Sequence, residues 1–385
     1  MDRVVVPLAT HLLTPLGVGT EENFRAAAAG RSALRRYEGI LPEAFVASIL
    51  GETALDAQCE ALGLPVQEYT YFEKMLLAAA VPAVAKAGID ASSDRVLFVV
   101  STTKGNVSLL GNPEGFAPER VLLGQAARRL TAHFGNPNEP LVVCNACISG
   151  VCAQIAAMRN LRSGAYDYVV TVGADQQSPF IIAGFQCLKA LSDDFCRPFD
   201  AARRGLNLGE CAAAMVFGQK DRSVLQPGDW MLCRGAVRSD ANHISGPSRT
   251  GEGSYEALRA VLKEANPDRL AFVSVHGTAT NYNDEMESIA LERAGLSEVP
   301  VCGLKGIYGH TMGAAGLLEC ILSMASVEHG KILPTKGFET LGVSRPVRVS
   351  AALRDTSRQA FVKLISGFGG CNAAVLYQRY GYEEA

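Results

Sequence analysis

The stretch Leu141-Val142-Val143-Cys144-Asn145-Ala146-Cys147-Ile148-Ser149-Gly150 decides the architecture of this chain. Leu141 to Val143 is a short apolar run and reads as a buried strand. Residues 148–158, Ile-Ser-Gly-Val-Cys-Ala-Gln-Ile-Ala-Ala-Met, read as a buried helix that stops near Ser163-Gly164, because glycine takes the left-handed position that ends a helix. Cys147 falls at the junction of strand and helix. Unpaired N–H groups and the helix dipole there favour a thiolate. That is where a chain places a nucleophile.

Eleven cysteines are scattered through the sequence, and most free cysteines pack as small buried hydrophobes. Cys144 and Cys147 also form a C-x-x-C, the spacing of a redox pair or of half a zinc site. Neither reading fits well. No second C-x-x-C or closely spaced histidine pair completes a zinc set, and a thioredoxin-like motif lies early in a small domain rather than in mid-chain of 385 residues. Cys144 is expected to end the strand with its side chain in the core.

Length and composition narrow the class. A chain of 385 residues buries a large core and suggests two domains or one large two-part unit. Hydrophobic residues at 48% and charged residues at 19% describe an ordinary globular protein. A net charge of −3 gives no sign of nucleic-acid binding. Met1-Asp2-Arg3 has no basic n-region, so no secretory signal is read, and the apolar stretch at 75–87 contains Pro82 and Lys86 and is too short to span a bilayer. Cysteines in that context indicate free thiols in a reducing compartment, hence a cytoplasmic protein.

Short apolar strands alternate with helices along the chain. Strand-like runs fall at 4–6, 96–100, 168–172, 213–217, 230–233, 272–275, 361–365 and 373–377, and helical patterns at 21–29, 71–86, 117–134, 255–265, 285–294 and 314–328. This rhythm predicts an α/β fold with sheets covered on their faces. Each half has a strand ending at a reactive residue. The pattern predicts an internal duplication, with halves 1–222 and 223–385 packed tightly because no flexible linker separates them.

Three segments of the second half raise the odds for Cys147. In Val273-Ser274-Val275-His276-Gly277-Thr278-Ala279-Thr280, an imidazole sits at the C-terminal end of a strand, the edge at which α/β folds bind ligands. In Lys305-Gly306-Ile307-Tyr308-Gly309-His310-Thr311-Met312-Gly313, small residues crowd a turn that opens a helix, and Lys305 is spaced to pair with Glu319, since a buried lysine or glutamate is costly alone. Ser366-Gly367-Phe368-Gly369-Gly370-Cys371-Asn372 can aim a backbone N–H at a developing oxyanion.

In this order the motifs Asn-Ala-Cys-Ile-Ser-Gly, His-Gly-Thr-Ala-Thr, Lys-x3-Gly-His-x5-Gly and Gly-Phe-Gly-Gly-x-Asn-Ala closely resemble those of the β-ketoacyl-acyl carrier protein synthases of the thiolase superfamily, and the likeness covers nearly the whole chain. The resemblance implies a thiolase-like, five-layered αβαβα fold with two similar halves. It implies Cys147 as the acyl-carrying nucleophile, with the N–H groups of Cys147 and Phe368 as oxyanion hole. His276 and His310 are implied as neutral hydrogen-bond donors to a malonyl thioester. Lys305 and Glu319 form the supporting polar network, to which Glu287 belongs less directly. Thr278 and Thr280 are implied to bind the phosphopantetheine arm, Phe368 to act as gate, and Ile148 and Phe185 to contact substrate. No metal or redox cofactor is implied. The implied partners are an acidic acyl carrier protein and either a second copy or a chain-length-type subunit, with Arg128-Arg129 and Arg203-Arg204 as a basic rim.

Departures from the family pattern bear on the substrate. Asn145 replaces a frequent threonine, Ile148 a small residue, Cys371 a threonine and Cys211 a glycine. The loops at 101–115 and 176–184 are expected to set specificity, in a divergent member serving a polyketide or aryl-polyene pathway. Competing readings are a thiolase, for which Cys302 and Cys371 lack the needed setting, and a non-catalytic partner subunit, which would lack the nucleophile. A cysteine hydrolase is a further alternative, since His276 follows Cys147 by 129 residues, near the papain-like range of about 130–150, but the Cys-Gly-Ser-Cys-Trp signature is absent and Cys147 is not near the N-terminus.

Overall fold

Two six-stranded sheets carry the fold, described by a computed structural model over residues 3–38, 44–111, 113, 115–263 and 265–382. In the first sheet the strands lie side by side as Gly17–Val18, Arg3–Thr14, Cys211–Asp221, Tyr168–Asp175, Val96–Ser101 and Leu141–Val143. In the second they run Trp230–Ser239, Cys371–Arg379, Ala360–Gly367, Leu270–Ser274, Pro300–Cys302 and Arg348–Val349.

From Arg3–Thr14 onward the first order matches the second strand for strand. In each sheet two antiparallel pairings are followed by two parallel ones. The helices match as well: Tyr71–Ala87 with Glu252–Leu262, Leu123–His133 with Asn281–Arg293, and Ser149–Arg162 with Ala315–Glu328. This is the duplication read from the rhythm of the sequence.

The apolar patterns explain the layering. Val96–Ser101 is buried along its whole length, as is most of Ala360–Gly367. Strands covered on both faces read as continuous apolar runs. One face of the first sheet packs on Tyr71–Ala87 through Phe72, Leu76, Phe98 and Val170. Its other face meets the central helices through Leu97, Ile155, Leu317 and Ile321, and the second sheet closes the same core with Phe361 and Val375. Glu252–Leu262 covers the far side through Leu258, Val273 and Val362. The result is helix, sheet, helix pair, sheet, helix.

Three expectations are corrected. Leu141–Val143 is an edge strand rather than a buried one, with Leu141 40% exposed, because among the described residues no strand pairs beyond it. Cys144, just past its end, is exposed rather than packed in the core, and its thiol donates to the Thr103 carbonyl at 3.5 Å. The helix expected over 117–134 is interrupted: a short turn, Pro118–Val121, precedes Leu123–His133. Two expected spans include residues outside those described, Glu264 in the helix at 255–265 and positions 112 and 114 in the loop at 101–115.

The central helices cross at glycines. A Cβ on Gly316 would lie 2.5 Å from the Val151 nitrogen and 2.8 Å from the Gly150 carbonyl carbon. Both are backbone atoms that cannot swing away. Gly316→Ala is therefore expected to lower stability by about 1–3 kcal/mol, read as a drop in the urea midpoint. An unchanged midpoint would show that the helices can part without cost.

Candidate active site

Cys147, His276 and His310 come from separate loops and meet at the seam between the halves. The Cys147 sulfur and a ring nitrogen of each histidine all lie within 4.8 Å of one another, on three buried side chains. The two imidazole rings stand edge to face, with centroids 5.2 Å apart and planes at 81°.

Each loop is held in an uncommon backbone shape. Ala146 (φ 44°), Ala279 (φ 61°) and Met312 (φ 47°) occupy the left-handed region, at a cost of about 1–3 kcal/mol each for residues other than glycine. The Cys147 turn is fixed by Ser149, whose hydroxyl accepts from the Asn145 N–H at 2.8 Å and donates to the Ala146 carbonyl at 2.6 Å. The helix then runs Ser149–Arg162 with Ile148 as its N-cap residue, and Gly164 (φ 72°) follows its end as the sequence suggests. The His310 turn is tied to the first half by Asp175, fully buried, which accepts from the Thr102 hydroxyl at 2.7 Å, the Thr103 N–H at 3.0 Å and the Gly313 N–H at 2.7 Å.

His276 is seated from both sides. Glu287 accepts from the His276 N–H at 2.5 Å and from the Gly277 N–H at 2.7 Å, and burial raises its carboxyl to about 7. On the other side Lys305 donates to the His276 carbonyl at 2.6 Å and to Glu319 at 2.9 Å. Lys363, absent from the sequence reading, completes the cluster: it pairs with the second oxygen of Glu319 and donates to the carbonyls of Val275 at 2.9 Å and Ser274 at 3.2 Å. Its signal was present, a lysine inside the apolar strand Phe361-Val362-Lys363-Leu364-Ile365.

The electrostatics follow from burial. Desolvation alone would raise the Glu319 carboxyl, but the two ammonium groups hold it below its usual range. Desolvation, then the charge of Lys305, pushes both imidazoles well below 6.5, so they are neutral at physiological pH. The thiolate expected from the helix dipole is not the resting state. Burial pushes the Cys147 thiol up to about 12, and Lys305 offsets only part of this. An unpaired anion in a dry pocket costs more than a helix end returns. The site therefore rests as a neutral thiol beside neutral imidazoles. His276 Nδ1 and both ring nitrogens of His310 are buried without a hydrogen-bond partner.

The Phe368 turn closes the site. A Cβ on Gly367 would sit 3.2 Å from the Cys147 nitrogen, so glycine is what lets the two backbones approach. The half-buried Phe368 ring lies 5.6 Å from that of Phe185 and joins a separate apolar cluster with Ile181, Ile182, Val107 and Met312. Residues from both loops expected to set specificity are in this cluster. Ile148 is not; its fully buried side chain belongs to the core between the sheets. Thr278 and Thr280 share a hydroxyl contact at 2.9 Å, and Thr280 also caps the helix Asn281–Arg293. Of the basic pairs, Arg203 is no rim residue: its side chain is 7% exposed and donates to the Gly342 carbonyl at 2.6 Å. Arg128 pairs with Glu139 at 2.8 Å, leaving Arg129 and Arg204 as exposed candidates.

Removing one cation from the Lys305–Glu319–Lys363 cluster strands buried acceptors. Lys363→Met is expected to cost about 3–5 kcal/mol, measured by chemical denaturation. A change within about 0.5 kcal/mol would show that the cluster does not brace the fold.

Comparison with known proteins bears on the family of the chain. The sequence patterns of the beta-ketoacyl synthase N-terminal and C-terminal domains match residues 2–222 and 232–339. The chain is 29% identical to the tetracenomycin polyketide synthase ketoacyl synthase alpha subunit of Streptomyces glaucescens, over 98% of this chain and 97% of that one. It is 26% identical to the 3-oxoacyl-[acyl-carrier-protein] synthase 2 of Vibrio cholerae, over 98% and 99% of the two chains. Among solved structures, the ishigamide ketosynthase/chain length factor superposes with a TM-score of 0.86 at 26% identity, covering 99% of this chain and 100% of that one. With two domain patterns spanning most of its length, this chain belongs to the beta-ketoacyl synthase family.

Proposed function

We propose that this chain is an acyltransferase that condenses an acyl group held on Cys147 with malonyl-acyl carrier protein, releasing carbon dioxide and a 3-oxoacyl chain two carbons longer. The observation that carries the reading is the buried thiol with two neutral imidazoles beside it. In the first step the Cys147 sulfur attacks the carbonyl of an acyl thioester. Because the thiol is protonated at rest, its proton leaves as the S–C bond forms. A neutral imidazole within reach accepts it and passes it to the departing carrier thiol.

The malonyl thioester then enters. As its C–C bond breaks, carbon dioxide departs and negative charge gathers on the thioester oxygen. His276 and His310 donate to that oxygen as preorganised dipoles, with no reorganisation of water to pay for. The enolate carbon attacks the acyl carbonyl and the C–S bond breaks; the Cys147 sulfur leaves as thiolate and takes up one proton from solvent. The N–H groups of Cys147 and Phe368 serve as oxyanion donors, supported by the close approach at Gly367. Lys305, Glu319 and Lys363 touch no substrate in this scheme; they position His276 and keep the imidazoles neutral. Phe368, packed on Phe185, is the gate that must swing to admit a chain. Thr278 and Thr280 line the path of the phosphopantetheine arm, and the scheme uses no resident metal or redox cofactor.

The halves 1–222 and 223–385 then divide the labour, one bringing the nucleophile and the other both histidines. The partners proposed are an acyl carrier protein and a second subunit, alike or of the chain-length type named for the ishigamide structure. The edge at Leu141–Val143, with no strand beyond it among the described residues, lies beside exposed Cys144 and supports such a subunit. A cytoplasmic location accompanies this proposal. The cysteines, none of which is in a disulfide, agree with it. A polyketide or aryl-polyene product, rather than a housekeeping fatty acid, is the pathway proposed.

Incubation with acyl- and malonyl-carrier proteins, followed by intact-mass spectrometry, tests the reading. The expected sequence is an acyl adduct on Cys147 and then a 3-oxoacyl-carrier product. Cys147→Ala should cut turnover by about 10³-fold or more, while Cys144→Ala keeps most of it. His310→Asn should slow malonyl decarboxylation more than acylation of Cys147. Acyl hydrolysis with no condensation product at any chain length would instead favour the hydrolase, and equal loss from both cysteine variants would remove Cys147 as the single nucleophile.

A further inference from the structure

The C-x-x-C of Cys144 and Cys147 gives at most half a zinc site in sequence, yet the fold assembles a different donor set around Cys147. Cys147 contributes a sulfur and His276 and His310 one ring nitrogen each, all within 4.8 Å. Zinc takes thiolate sulfur at about 2.3 Å and imidazole nitrogen at about 2.0–2.1 Å, and in open sites it keeps three protein ligands and one exchangeable position. Those bond lengths in a tetrahedron put the ligand atoms about 3.4–3.6 Å apart. Side-chain rotations that close the present triangle by about an ångström reach that size.

A second observation points the same way. His310 has both ring nitrogens buried with no partner, and His276 has Nδ1 in the same condition. A buried donor or acceptor left unmade is expensive, and a neutral imidazole is the form that offers a lone pair to a metal. The ammonium groups of Lys305 and Lys363 oppose a dication, but Glu319 bridges the two. The proton lost from sulfur cancels one further unit of charge.

We propose that Cys147, His276 and His310 form a Zn²⁺-binding site that holds the protein in a reversibly blocked state. The S–H bond of Cys147 breaks, an S–Zn bond forms, the proton goes to buffer, and no oxidation state changes. The bound ion withholds the sulfur from thioesters and both imidazoles from the malonyl oxygen. Binding itself is independent of the condensing reading; only the block on turnover rests on it.

The test uses the metal-free, full-length protein with zinc chloride as the probe. Calorimetry in two buffers of different protonation enthalpy should show one tight ion and release of about one proton. Iodoacetamide labelling of Cys147, read by peptide mass spectrometry, should slow by about tenfold once free zinc reaches nine times Kd. Exposed Cys144 should label at its own rate throughout. Cys147→Ser and His310→Ala should each abolish the tight phase. Tight binding that survives Cys147→Ser, or full-rate alkylation of Cys147 at saturating zinc, would overturn the proposal. Should His310→Ala fail to fold, protection of Cys147 in the unaltered protein decides alone. Zinc binding in a protein that forms no 3-oxoacyl product would leave this site standing and remove the condensing reading.

Discussion

One carboxylate held between two ammonium groups, all three buried, is the constraint on which the site depends. Glu319 lies on a central helix, Lys305 in the turn before His310, and Lys363 in the middle of a central strand. Their remaining hydrogen bonds go to three consecutive carbonyls, Ser274, Val275 and His276. The cluster thus clamps a strand end, a helix and the His276 loop to one another. Such a group would cost several kcal/mol if any member were left unpaired. It leaves one excess positive charge in a dry interior, and that charge together with burial keeps the two imidazoles neutral.

Duplication explains why the site lies where it does. Each half ends an equivalent parallel strand at a loop that opens a central helix, and these loops carry Cys147 in one half and His310 in the other. Packing the helices against each other at Gly150 and Gly316 brings the two helix openings together. Asp175 then ties the halves at the level of the chemistry, accepting from Thr102 and Thr103 of one and Gly313 of the other. Cys147 lies on the first sheet's side of the duplication and the two histidines on the second's, and they meet within 4.8 Å only when both are packed together.

Much of this was legible in the sequence. Apolar runs located the principal strands, and glycine-rich turns marked the loops around His310 and Phe368. What escaped depends on contacts distant in sequence. Lys363 looked like an ordinary strand residue because its partner, Glu319, precedes it by more than forty positions. Cys144 read as core because alternation along a strand cannot say whether that strand has a neighbour. Arg203 read as surface charge, although its guanidinium turns inward to the Gly342 carbonyl. The protonation of Cys147 was misread for a related reason: position at a helix start is local information, whereas desolvation is a property of the whole fold.

The central claim is that burial and the Lys305–Glu319–Lys363 cluster hold the site as a neutral thiol with neutral imidazoles. Nitrogen NMR of protein labelled at histidine, assigned by single substitutions at His276 and His310, tests it most directly. The account predicts that both rings keep the spectrum of neutral imidazole as pH is lowered through 6.5, the ordinary histidine value. Titration of either ring near that value, or an imidazolium signal at neutral pH, would contradict it.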